Sequence, residues 1–181
     1  KRKRLFVIGI REDIGKTVGI TDEKDILQLY PIGSNYEPTV KDCLKDLEID
    51  VREINFLLTK CRKSSTYEIL RHLPVNPNRP LKPENVITGW KGDFNLVRSS
   101  WDKPCVTLTQ LGQQIGQGGV HHPTENRMFT ISELKRLTGL PDDFVLTGTF
   151  NQKAERICRM VPPLMIKHLS TSIYKNVLSK L

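Results

Sequence analysis

The sequence predicts an α/β chain in which a small mixed α+β domain is flanked by a strand and a C-terminal helix that pack on something further. Three observations predict it. An unbroken apolar run, Leu5 to Ile10, has strand length. Helical periodicity with capping residues recurs along the chain, and a stretch rich in β-formers and turn residues lies between two of the helical parts.

Leu5-Phe6-Val7-Ile8-Gly9-Ile10 lacks polar alternation, which reads as a strand buried on both faces, as in a mostly parallel sheet. One such strand cannot make a sheet. Thr39 can cap a helix with Val40, Leu44 and Leu47 on one face. Two short helices follow, one carrying Ile54, Leu57 and Leu58, the other opening near Ser64 or Ser65 and carrying Tyr67, Leu70 and Leu73. Pro74 and the Asn76 to Pro80 loop stop them, since proline lacks the amide donor and restricts its predecessor.

From Val86 to Leu108 the expectation is a small irregular sheet, with Trp90 and Trp101 as packing anchors. Gly112 to Gly119 is too glycine-rich for a regular element and reads as a mobile loop; it lacks G-x-G-x-x-G spacing for a nucleotide turn. Thr130-Ile131-Ser132-Glu133 spells a capping box, Leu134 and Leu137 give its helix a buried face, and Gly139 with Pro141 ends it. A further helix after Asn151 breaks at Pro162-Pro163, and Met165, Leu169, Ile173, Val177 and Leu181 form a last helical stripe.

The 181 residues suffice for one well-buried domain, or one with an appendage that completes another. A net charge of +8 favours a polyanionic partner, nucleic acid or anionic lipid. No apolar run reaches membrane-span length, so no membrane partner is expected. Cys43, Cys61, Cys105 and Cys158 have no C-x-x-C or zinc spacing, which reads as free thiols in a reducing compartment without a structural metal. His121-His122 are adjacent in sequence rather than on one helical face, which favours hydrogen bonding at a domain junction over metal ligation.

Three ordered stretches resemble the closing motifs of the DNA cytosine-5 methyltransferases. Arg2-Lys3-Arg4 with Leu5 to Gly9 resembles the Q-x-R-x-R motif and its strand, with the glutamine expected just before residue 1. Arg127 to Glu133, continuing through Arg136-Leu137-Thr138-Gly139-Leu140-Pro141-Asp142, is similar to R-x-L-T-x-R-E-x-x-R-L-x-G-F-P-D, departing at Phe129, Ser132 and Leu140. Ile157 to Pro163 is similar to I-G-N-x-V-P-P, with Cys158 and Arg159 replacing glycine and asparagine.

The resemblance implies a strand of the catalytic domain over 1–12, a mixed α+β target-recognition domain over 13–125, a junction helix and loop over 126–150, and helices over 151–181 returning to a Rossmann-like methyltransferase domain. It implies methyl transfer from S-adenosylmethionine to carbon 5 of a flipped cytosine in double-stranded DNA. Arg2 and Arg4 would support the target cytosine, a role that suits guanidinium as a permanently charged donor fork; a solvated basic tail is the plainer reading. Arg159, Met160 and Val161 would line the cofactor pocket.

The family nucleophile sits in a Pro-Cys dipeptide ahead of Q-x-R-x-R. Pro104-Cys105 and Glu84-Asn85-Val86 come after it, so Cys105 reads as an inert buried hydrophobe and the E-N-V triplet as coincidence. The isolated chain is thus expected to be inactive and to need the N-terminal methyltransferase half or a complementary subunit. The alternatives are a non-catalytic, sequence-specific DNA-binding module and a decayed remnant. The compartment expected is the cytoplasm of a bacterium or phage host, or a nucleus.

For base contact the side chains of suitable type are Lys60, Arg62, Lys63, Lys91, Arg98 and Gln110, with Arg79, Gln113 and Gln114 of the same kind. The Lys60 to Lys63 cluster suits phosphate, although a solvated face is the commoner role for such charges.

Overall fold

The computed structural model describes residues 5–33, 36–91, 96–109 and 119–181. In chain order these form α1 (Glu12–Val18), α2 (Glu23–Leu27), α3 (Val40–Leu44), α4 (Val51–Arg62), α5 (Ser65–His72), β1 (Leu96–Arg98), β2 (Gly119–His121), α6 (Ile131–Thr138), α7 (Phe150–Arg159) and α8 (Pro163–Asn176). Short 3-10 turns lie at Pro83–Asn85 and Leu178–Lys180. The result is a mixed α/β chain with a two-stranded parallel sheet, and among the described residues no helix is long and apolar enough to cross a membrane.

The chain divides into two compact units, one made of Lys1–Tyr36 and Val161–Leu181, the other of Glu37–Met160. These limits differ from the motif edges at 13, 126 and 151. Packing explains the difference. In the first unit Val18, Leu29 and Val177 are buried with Ile8, Ile10, Ile14, Ile20 and Ile173 around them, so residues 13–33 share a core with the last helix. In the second, Phe129, Leu134, Leu140, Ala154, Ile157 and Cys158 are buried with Val40, Leu108 and Val120, so residues 126–160 share a core with the middle of the chain.

Residues 5–10 depart from the expectation of a strand buried on both faces. They belong to no strand, and exposed Leu5, Val7 and Gly9 alternate with half-buried Phe6, Ile8 and Ile10. Among the described residues none pairs with them through the backbone, and a lone extended segment has no ladder; the Tyr30 hydroxyl donates to the Phe6 carbonyl at 2.8 Å. α1 and α2 were not anticipated. Asp22 and Asp25 form a reciprocal capping box at α2, and Gly15 is required because a Cβ there would lie 2.5 Å from the Ile20 carbonyl oxygen.

The helices of the second unit follow their caps. Thr39 accepts from the Asp42 amide and Asp42 reaches back to the Thr39 amide, starting α3; Leu47 lies beyond its end. Asp50 caps α4, and Ser64 precedes α5. α6 starts on the Thr130–Glu133 box and ends at Gly139, whose φ of 73° is left-handed. Among its described residues the β-rich stretch holds one short strand, and its partner is not local: β1 pairs in parallel with β2, from beyond the glycine-rich segment, in the register Leu96 with Gly119, Val97 with Val120 and Arg98 with His121. Antiparallel bridges extend it, Leu81 to Arg98 on one side and His121 to Met128 on the other.

Candidate nucleic-acid interface

The longest motif is fixed by a buried ionic network. Arg127 and Glu133 are each 1% exposed, and the guanidinium meets both carboxylate oxygens at 2.7 and 3.0 Å. Glu125 takes two more donors at 3.1 and 3.0 Å, and the Met128 carbonyl accepts the same nitrogen as Glu133 at 3.0 Å. Burial works against the Arg127 charge, but the two carboxylates outweigh it and hold the group protonated well above its ordinary range. Glu133 also accepts from the Thr130 amide at 2.7 Å, so the helix cap and the ion pair share one carboxylate.

His121 and His122 lie beside this network, buried and engaged in hydrogen bonds. The His121 Nδ1 stands 3.0 Å from the Gly119 carbonyl oxygen. His122 Nδ1 accepts from the amides of Thr124 and Glu125 at 3.3 and 3.1 Å, and its ring meets Trp101 and Phe129 edge-on. Burial pushes both imidazoles down to about 4; the Arg127 charge adds to this at His122, where Glu133 and Glu125 oppose it.

Arg98 corrects an expectation. It was a candidate for DNA contact, yet it is wholly buried and donates to the carbonyls of Leu70, His122 and Glu125 and to Asn126 Oδ1, at 2.9, 3.2, 3.2 and 2.5 Å. Its guanidinium ties the end of α5 to the turn after β2 and has no surface to offer a phosphate. Desolvation lowers its pKa to about 10.

Lys60, Arg62, Lys63, Arg79 and Lys91 are exposed. The first two close α4 and Lys63 is its C-cap, where the helix dipole favours positive charge; Lys60 Nζ stands 5.7 Å over the Phe56 ring. Arg2, Arg4, Gln110, Gln113 and Gln114, with most of the glycine-rich segment, lie outside the described residues.

Arg159 is exposed and pairs with Glu155 at 3.2 Å. With Met160, Gln152 and Arg156 they line an open depression of about 480 Å³. Val161, 38% exposed, opens the second segment of the other unit. Cys105 is partly buried, and desolvation with Cys43 and Cys158 nearby pushes its thiol up to about 12, far from a thiolate nucleophile.

Sequence reasoning missed two features. Glu53 accepts from the Ile131 amide at 2.8 Å, so α4 supplies a second carboxylate to the start of α6; a glutamate on a helix surface carries no signal of that. The other is a cleft of about 410 Å³ against the sheet, bordered by Lys82 and Asn85.

A model of the C-5 cytosine-specific DNA methylase family matches residues 1–175. The chain belongs to this family. It is 29% identical over 182 residues to the type II methyltransferase M.Sau96I of Staphylococcus aureus, covering 96% of this chain and 39% of the relative. It is 30% identical over 186 residues to M.Eco47II of Escherichia coli, covering 98% of this chain and 42% of the relative. For M.PspPI of Psychrobacter the values are 28%, 90% and 39%. The chain thus spans about two-fifths of the length of these curated relatives.

Proposed function

We propose that this chain is the C-terminal, DNA-recognising part of a cytosine-5 methyltransferase of restriction-modification type. It selects where on double-stranded DNA a cytosine is methylated, while the nucleophile and most of the S-adenosylmethionine pocket come from residues of the N-terminal half or a complementary subunit. The family match over residues 1–175 carries the reading. The order of residues supports its second half: each of the four cysteines follows Arg4, where the family's nucleophile precedes the arginine motif.

In this reading residues 37–160 are the recognition unit, and residues 1–36 with 161–181 complete a Rossmann-like catalytic domain. Arg2 and Arg4 donate to the flipped cytosine. Lys60, Arg62, Lys63 and Lys91 meet phosphates, and Gln110 meets a base edge. S-adenosylmethionine, when bound, supplies the methyl group. Arg159, Met160 and Val161 form one wall beside it, and the residues of the depression fit that role: the Met160 side chain offers apolar contact and the charged Glu155 and Arg159 suit a zwitterionic nucleoside.

The test is transfer of labelled methyl from S-adenosylmethionine to duplex DNA. The chain alone should transfer none, and adding a chain that carries the F-x-G-x-G, Pro-Cys-Gln and E-N-V motifs should restore transfer. Transfer by the purified chain alone overturns the assignment of the nucleophile. Specific duplex binding without restoration would instead favour a binding module.

A further inference from the structure

Arg98 joins stretches of chain that are far apart in sequence. Its Nη2 donates to the Leu70 carbonyl at 2.9 Å and to Asn126 Oδ1 at 2.5 Å, and its Nη1 donates to the carbonyls of His122 and Glu125, each at 3.2 Å. One terminal nitrogen therefore spans from α5 to the turn after β2, and the other clamps that turn. None of these acceptors is a carboxylate, and the residue is wholly buried. Burying a charge in this way is costly, and an apolar side chain would fill the space without that cost. What it would lack is direction. The guanidinium fork fixes each acceptor along a donor axis, whereas Leu96 against Leu70 and Leu73 holds α5 by contact alone.

What the fork holds is the corner between α4 and α5. Lys63 is the C-cap of α4 and Ser64 the N-cap of α5, so no loop separates the two helices. The Ser64 amide and hydroxyl both donate to the Cys61 carbonyl, at 2.9 and 2.7 Å, and the Ser64 and Thr66 hydroxyls stand 2.9 Å apart. Near the other end of α4, Glu53 accepts from the Ile131 amide at 2.8 Å. The pair of helices is thus pinned near its outer ends, at Glu53 and Leu70, with a bonded corner between. Lys60, Arg62 and Lys63 are exposed on that corner. Phosphates lie at a fixed spacing along a duplex strand, so these cations meet them together only if the corner keeps its place.

We infer that Arg98 is a positioning residue: it touches no DNA, and by holding the end of α5 it sets where the α4–α5 corner presents Lys60, Arg62 and Lys63 to the phosphates. The inference rests on the DNA-recognition reading above and goes beyond it in naming the buried group through which those cations act.

Binding of the full chain to a fixed duplex, titrated over a range of salt, tests it with Arg98→Lys, with Asn126→Ala and with the triple variant Lys60→Ala, Arg62→Ala, Lys63→Ala. Arg98→Lys keeps the charge and loses the fork. Asn126→Ala removes one acceptor at a half-buried site, and it decides the matter if Arg98→Lys does not fold. Arg98→Lys should weaken binding roughly five- to tenfold at physiological salt and flatten the slope of log affinity against log salt by about 1 to 2, although Arg98 itself reaches no phosphate. Asn126→Ala should act in the same direction, by roughly threefold. Placed in the triple variant, either change should alter binding by less than about 1.5-fold, because the groups it positions are gone. A purely structural role would lower the urea midpoint and leave the salt slope of the folded protein as it was. An unchanged slope in the folded variants, or losses that add in full to those of the triple variant, overturns the inference and leaves the DNA reading standing. A triple variant that binds like the wild type takes the corner out of the interface and overturns the inference by that route. A wild-type chain that binds no duplex overturns both.

Discussion

The unit of residues 37–160 buries a set of polar and charged side chains inside itself, whereas the unit of residues 1–36 and 161–181 holds much of its apolar surface in water. In the first, Arg98, Arg127, Glu133, His121 and His122 are all buried and hydrogen-bonded. In the second, Leu5, Val7 and Ile32 are 88, 86 and 100% exposed, and α8 buries none of its residues. Isolated exposed apolar residues are ordinary, but Leu164, Met165 and Ile166 in succession on α8 add to those three. The contrast teaches that the two units owe their stability to different things: one to a buried, hydrogen-bonded ionic lattice within a core, the other to a small core of Val18, Leu29 and Val177.

The largest expected effect breaks the lattice. Arg127→Met leaves Glu133 buried without its cation and should cost about 3–5 kcal/mol. Both tryptophans, Trp90 and Trp101, belong to the 37–160 unit, so a urea titration followed by their fluorescence reports that unit alone. A midpoint like that of the wild type would show that the ion pair is not what holds it.

Acid should loosen the same unit by a comparable amount. His121 and His122 are held below the ordinary 6.5, near 4, so the folded state prefers them neutral. The stability this confers is complete above pH 6.5 and drains as pH falls toward 4, because the unfolded chain takes up the protons first. Between pH 7.5 and pH 5 the fluorescence-detected stability should fall by roughly 2 kcal/mol for each imidazole, roughly 4 kcal/mol for the two; a flat profile over that window would contradict the burial of the imidazoles.

A cap comes next. Thr39→Ala removes the oxygen that accepts from the Asp42 amide and should cost about 1 kcal/mol in the same titration. The smallest effect on stability sharpens the contrast from the other side. Val7→Lys should shift the circular-dichroism melt by less than about 0.5 kcal/mol, because the side chain is already in solvent. The same variant should weaken restoration of methyl transfer by the complementary chain; full restoration would show that the exposed apolar face of residues 5–9 has no partner there.

Much of the local structure was legible. Thr39 with Asp42 and Thr130 with Glu133 announced their helices because a capping box is a contact between residues three apart, and Gly139 announced an end because only glycine takes its conformation readily. The same signal stood at Asp22 and Asp25 and passed unread. The sheet was not legible, since β1 and β2 are three residues each and lie far apart in sequence. Arg98 looked like any basic residue of a DNA-binding chain. Its burial depends on carbonyls from residues 70, 122 and 125, none of them near it in sequence.

By itself the sequence determined the family and the starts of α3 and α6, because ordered motifs and capping boxes are written in nearby residues. Tertiary structure alone decided which charges face water and which are spent in the core. Burial of a charge depends on acceptors gathered from distant segments, and no spacing along the chain records where those segments meet.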